Sequence, residues 1–177
     1  VARGHNCPLL LRIENLLESR IQLLNESFAQ AIEEIGYKNR YKAVFPVKVN
    51  QQAEVIEQIC RFGNAYNHGL EAGSKAELLL ALAHLNNESL LICNGYKDRE
   101  FIDLGLCARK LGIDCIFVIE SPSELPLIIE RSNKLGIQPL LGLRIKISAK
   151  VGGLWTETTG DRSSFGLSTA QLVEVVD

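Results

Sequence analysis

The sequence has no methionine, one tryptophan and only 6% aromatic residues across 177 positions. Without methionine, Val1 is not an encoded start, and a helical pattern is still running at Val176 and Asp177; the expectation is a piece of a longer chain. No apolar run approaches the ~20 residues that cross a bilayer, and the N-terminus has no signal-peptide pattern. A surplus of one charge sign is lacking too. The net charge is −2, without the cationic excess that nucleic acid or an anionic membrane would require, so neither is an expected partner. The five cysteines, Cys7, Cys60, Cys93, Cys107 and Cys115, are odd in number and scattered, with no CxxC pair. Reduced thiols in a cytoplasmic protein are therefore expected. His5, His68 and His84 lie too far apart to suggest a metal triad, and no metal ligand is assigned. Gly152-Gly153 lacks the spacing of a P-loop or a dinucleotide fingerprint.

What is present is an ordinary globular composition, 46% hydrophobic and 23% charged, which is enough for one domain with a substantial core. Leu9 to Ile35 carries apolar residues at three- and four-residue steps (Ile13, Leu16, Leu17, Ile21, Leu24, Phe28, Ile32, Ile35), with Pro8 before and Gly36 after. That pattern predicts one long amphipathic helix. After Tyr41 short apolar strands alternate with helices. Strands are expected at Ala43–Val49, Ala65–Leu70, Leu90–Cys93, Cys115–Ile119 and Leu140–Ile147. Helices are expected at Ala53–Phe62, Lys75–Leu85, Arg99–Leu111, on to Leu135 after the fourth strand, and from about Thr169. Such alternation means parallel βαβ units. Ser74–Glu77, Ser121–Glu124 and Ser168–Gln171 fit the capping box, with Pro122 at the favoured first position of its helix. About five βα units fit either a complete flavodoxin-like sheet or the first part of a (β/α)8 barrel. In both, ligands gather at the C-terminal ends of the strands.

Lys48, Glu71, Asn94 with Gly95, and Arg144 fall at or near those ends. Lys48 interrupts the apolar run of the first strand, where alternation puts it on one face with Val44, Pro46 and Asn50. Burial there would push the amine toward its neutral, nucleophilic form, as Schiff-base chemistry requires, although the stretch alone also fits a lysine that reaches out to solvent. Glu71 follows the second strand and is placed to face Lys48, pairing with it or steering its proton transfers; a solvated loop glutamate fits as well. Glu77 opens the next helix, and its capping role explains it without chemistry. Arg144 sits inside the apolar run LGLRIKI and needs an anionic partner. In CNGYKDRE, Asn94-Gly95 reads as a tight turn and Asp98 as a helix cap, while Lys97 and Arg99 read as solvated charges with some capacity to bind an anion. The polar, Gly-rich segment 148–166, which holds Trp155, is long enough to expect a functional loop.

In this order, the segments PVKVNQQ, GLEAGSKAELLLALA, LICNGYKDREFI, LGLRIKI and W-x4-GDRSSFGLS resemble the biosynthetic arginine decarboxylases. The N-terminal PLLLRIENLLESRIQLLNESFAQAI is similar to the lead-in of the same family, so the resemblance covers nearly the whole chain. It implies a pyridoxal-phosphate enzyme on an alanine-racemase-like (β/α)8 barrel with a C-terminal β domain. On this chain that means a partial TIM barrel over residues 39–177, preceded by a helical lead-in over residues 1–38. It further implies pyridoxal 5'-phosphate held covalently by Lys48, with Glu71 near that lysine as the second catalytic group. Glu77 and Arg144 would be cofactor-binding, Arg144 close to the ring. The implied reaction converts L-arginine to agmatine and CO2 for polyamine synthesis, in a homo-oligomer. A magnesium requirement is also implied, for which the sequence offers no ligand set. Two positions depart from the family: Ser164 stands where a lysine is usual, and KVGGLW replaces a small-Gly-basic pattern. The alternatives are decarboxylation of ornithine, lysine or diaminopimelate, a non-catalytic pyridoxal-binding regulator, or a flavodoxin-like binding module.

Overall fold

In the computed structural model, which describes residues 4, 8, 11–146 and 166–176, helix α1 (Glu14–Ile35) comes first. It buries Ile21 and Asn25 and packs against helix α2 (Ala53–Gly63). Its start is later than the apolar pattern suggests, because Ile13 is extended and offers no side-chain cap. It stops at Gly36, whose left-handed backbone (φ 63°) closes the last turn as glycine does most cheaply. The expectations that involve His5, Cys7, Gly152-Gly153, Trp155 and Ser164 lie outside the described residues.

Five strands follow, β1 (Val44–Pro46), β2 (Gly69–Ala72), β3 (Leu90–Cys93), β4 (Asp114–Ile119) and β5 (Leu140–Leu143), all parallel and paired in the order 1-2-3-4-5. Helices α2, α3 (Lys75–His84), α4 (Arg99–Lys110) and α5 (Glu124–Leu135) make the crossovers, and α6 (Thr169–Val176) closes the described chain. A doubly wound sheet reverses its strand order at a switch point. This one does not, so the flavodoxin-like alternative is excluded and the sheet is an arc of a (β/α)8 barrel.

The strands divide their side chains between two faces. Leu91 and Cys93 of β3 and Cys115, Phe117 and Ile119 of β4 are fully buried toward the helices, joining Leu78, Phe101, Ile102, Leu106 and Ile128 in one core. Ile92, Ile116 and Val118, on the alternate face, are half-buried along the inside of the arc. Gly105 of α4 explains the close fit: a Cβ there would stand 2.5 Å from Cζ of Phe117 and 3.2 Å from Sγ of Cys115. Outside this layer Arg131 of α5 grips Asp103 of α4 through two bonds of 2.7 and 2.6 Å. The described cysteines Cys60, Cys93, Cys107 and Cys115 are free thiols.

Several expected boundaries move, each for a local reason. The first strand ends at Pro46, which has no N–H to donate and a φ of −74°, and Val47–Val49 form a 3-10 turn closed by Asn50 N–H to Val47 O at 3.1 Å. Alternation therefore fails beyond Pro46: Val47 is buried while Lys48 and Val49 are exposed. The second strand starts at Gly69 and not at Ala65, because Asn64–Tyr66 form another 3-10 turn and Asn67 is left-handed (φ 52°). Helix α5 begins at Glu124, so Ser121 does not cap it and Pro122 lies ahead of it. β5 ends at Leu143, and Ile145 then pairs with Leu167.

Gly105→Ala would drive a methyl into the Phe117 ring, and the expected cost is about 1–3 kcal/mol, read as a lower denaturant midpoint at unchanged slope. An unchanged midpoint would mean that α4 moves off β4 freely.

Candidate functional site

The C-terminal rim of the sheet gathers the sequence's unplaced charges. Each of the first four strands hands its chain to a helix there through a turn of a few residues, and four buried or nearly buried carboxylates, Glu71, Glu77, Glu120 and Glu124, stand along this rim. A buried carboxylate must be satisfied by donors. The donors come from the neighbouring turns, and together they make a polar belt.

Starting after β1, Gln51 Nε2 donates to Glu77 Oε1 at 2.8 Å, and the Gly73 N–H after β2 donates to Glu77 Oε2 at 2.7 Å. Ser74 caps α3 by accepting from Glu77 N–H at 3.3 Å, but the return half of the capping box goes to Gly73 and not to the cap residue. Gly95, after β3, has φ 71° and lies so close to Gly73 that a Cβ would sit 2.5 Å from Gly73 O. No other residue fits that crossing. The Gly95 N–H donates to Glu120 Oε2 at 2.8 Å, and Glu120 Oε1 accepts from Arg144 Nη1, just after β5, at 2.6 Å. The belt thus touches all five strand ends.

A second layer holds it from behind. Glu124 Oε2 accepts the Glu120 N–H at 2.8 Å, where the sequence suggested only a helix cap. Lys97, expected to be solvated, has a fully buried side chain, paired with Glu124 at 3.2 Å and donating to Gly95 O at 2.8 Å. Arg99 pairs on the surface with Glu130 at 3.6 Å. Asp98 caps α4 as expected, accepting from Phe101 N–H at 2.9 Å, and the Lys75 ammonium at 2.8 Å holds its carboxyl below the usual range. Behind the rim, Cys93 and Cys115 lie with their sulfurs 3.4 Å apart. That hydrogen bond, with burial, holds the Cys93 thiol well above its ordinary value.

The expected site residues are brought to one rim but not to one contact. Glu71 accepts from Asn94 Nδ2 at 3.1 Å through Oε1 and forms no ion pair with Lys48. Its other oxygen, Oε2, is buried without a donor. Lys48 is exposed on the turn after β1, whose last residue, Pro46, is in register with Glu71. The enclosure expected of that lysine is therefore absent, because the strand has already ended. Glu77 serves the belt as described. Arg144 has its anionic partner in Glu120, a residue that sequence reasoning passed over. Its signal was available: Glu120 follows the apolar run IFVI directly, as Glu71 follows the stretch expected to be the second strand, although the structure places Glu71 within β2. Among the described residues no group of three or more His, Cys, Asp or Glu could hold a metal ion.

Comparison with known proteins bears on this rim. The family model for the pyridoxal-binding domain of pyridoxal-dependent decarboxylases matches residues 20–177. The biosynthetic arginine decarboxylase of Gloeobacter violaceus is 51% identical over 98% of this chain, and that of Thermosynechococcus vestitus is 49% identical over 99%. The chain spans only 27% and 28% of those two proteins. The crystal structure of the biosynthetic arginine decarboxylase SpeA from Campylobacter jejuni superposes with a TM-score of 0.84 at 39% identity, covering 99% of this chain and 28% of that one. Diaminopimelate decarboxylase from Helicobacter pylori, at 21% identity and a TM-score of 0.70 over 98% of this chain and 41% of its own, shares the fold.

Lys97→Met would leave Glu124 buried and unpaired, and the expected loss is about 3–5 kcal/mol of stability, seen as a lower melting temperature. Adding Glu124→Gln, which still accepts the Glu120 N–H, should restore part of it. A loss under about 1 kcal/mol would mean that the pair is dispensable.

Proposed function

The chain belongs to the pyridoxal-dependent decarboxylases, through their pyridoxal-binding domain, and from that premise we propose that it is the cofactor-holding part of an enzyme that converts L-arginine to agmatine and CO2. The observation that carries the reading is Glu71 Oε2, a buried carboxylate oxygen without a donor beside the end of β1. Such an oxygen is costly until an N–H or O–H reaches it. The rim's chemistry fits pyridoxal 5'-phosphate: an accessible amine on Lys48, a carboxylate ready for a donor, and the Arg144 guanidinium for an anionic edge. The choice of arginine is supported by the names of the relatives and by their identity to this chain.

When bound, pyridoxal phosphate serves as the electron sink for the pair left on the α-carbon as the carboxylate departs. The rest of the work falls to the chain's own side chains. Lys48 is the amine that holds the cofactor, and its exposure leaves it accessible. Glu71 offers Oε2 to an incoming donor and can hold or return a proton there, while Asn94 fixes its other oxygen. Glu77 keeps the turn after β2 in place through Gly73. Arg144 presents positive charge at the end of β5.

The proposal extends to a division into a lead-in over 1–38 and the barrel portion over 39–177, a homo-oligomeric parent, and a cytoplasmic place in polyamine synthesis leading to spermidine. No described helix is long and apolar enough to cross a membrane. With no metal-ligand group among the described residues, no step is assigned to magnesium.

In the full-length parent, Lys48→Ala should abolish the absorbance band of the lysine-bound cofactor and lower turnover by several orders of magnitude. A Lys48→Ala enzyme that keeps both would refute the assignment. Competition among arginine, ornithine, lysine and diaminopimelate, read as the amine formed, should favour arginine, and the 177-residue chain alone should form no agmatine.

A further inference from the structure

Glu120 lies on the rim but has no part in the chemistry assigned above. It is the first residue after β4, and its side chain is only 7% exposed. Both of its carboxylate oxygens are engaged, and they are engaged by different strands. Oε2 takes the Gly95 N–H, from the turn after β3; Oε1 takes Arg144 Nη1, from the end of β5. Its own backbone is pinned by Glu124, which the buried Lys97 holds in turn, and Lys97 also donates to the carbonyl of Gly95. Gly95 is therefore held at its N–H by Glu120 and at its carbonyl by Lys97, and Lys97 and Glu120 are joined through Glu124. From this closed ring Glu120 reaches out to the guanidinium of Arg144, whose side chain is half exposed.

An exposed arginine samples many rotamers, and fixing one costs side-chain entropy. A short charge-assisted bond to a carboxylate that cannot itself move offsets that cost before a ligand arrives. We propose that Glu120 is a positioning residue that presets the Arg144 guanidinium at the cofactor mouth, with the Gly95–Glu124–Lys97 ring as its anchor. The inference rests on the reading that this rim binds pyridoxal phosphate. It assigns Glu120 no contact with cofactor or substrate.

Two roles predict opposite signs. As a bare charge, Glu120 repels an anionic phosphate ester, so neutralising it would tighten binding. As a positioning group, its neutralisation would weaken binding, because Arg144 loses its short bond to Glu120. Glu120→Gln separates the two contacts: the amide oxygen can still accept the Gly95 N–H, while the amide NH2 faces the guanidinium donor to donor.

The test uses the full-length parent in two arms. In the first, a crystal structure of the cofactor-free Glu120→Gln variant should show Gly95 in place and Arg144 moved from the end of β5; an Arg144 that has not moved overturns the proposal. In the second, the affinity of the apoprotein for pyridoxal phosphate should fall about ten-fold in Glu120→Gln. The same change made on an Arg144→Ala background should have no further effect. Tighter binding in Glu120→Gln, or an equal loss on both backgrounds, overturns the proposal. If the wild-type parent takes up no pyridoxal phosphate, the functional reading fails, and the first arm still decides what holds Arg144.

Discussion

The structure depends on satisfying buried carboxylates at the ends of parallel strands. Glu71, Glu77, Glu120 and Glu124 are all withdrawn from water where backbone N–H groups and cationic side chains are the available donors. Each carboxylate takes its donors from a neighbouring turn, so satisfying the charges also ties the turns together. Hydrogen bonds to ionised groups are shorter and stronger than neutral ones, and in a partly buried rim they are poorly screened. The rim is therefore held by electrostatics, while the helix-facing side of the sheet is held by packing.

These two halves meet at glycines. Gly105 lets α4 close onto Phe117 and Cys115, and Gly95 lets the turn after β3 cross over Gly73 with its N–H aimed at Glu120. In both places a Cβ would occupy space already taken by a neighbour. The first sets the depth at which the helix sits on the sheet. The second sets the height of the rim.

Against this order, Lys48 and Glu71 stand apart. Glu71 keeps one oxygen without a donor in a structure that satisfies its neighbours, and Lys48 lies exposed on a turn while Lys97 is fully buried in an ion pair. Unmet demand and uncommitted charge on neighbouring strands are what a site built for an incoming group should have. Lys97 shows the contrast: equally basic, it is held by Glu124 and Gly95 O and has a structural task.

The sequence alone determined the kind of fold and much of the rim. The period of the apolar residues set five strands and their helices, because a buried strand and an amphipathic helix each need their own spacing of side chains. A charge inside an apolar run, at Lys48 and Arg144, or just after one, at Glu71, marked side chains at or near strand ends. The long, ordered motifs carried the family. What the tertiary structure decided was who pairs with whom, since residues 24 or 25 apart in sequence, such as Arg144 with Glu120 and Glu120 with Gly95, meet only when strands lie side by side. It decided the strand order, which excluded the doubly wound alternative. It also ended β1 at Pro46, leaving Lys48 exposed, and buried Lys97, which the sequence placed in solvent. Local pattern specifies which side chains point into a layer; only the packed sheet specifies which of them share its rim.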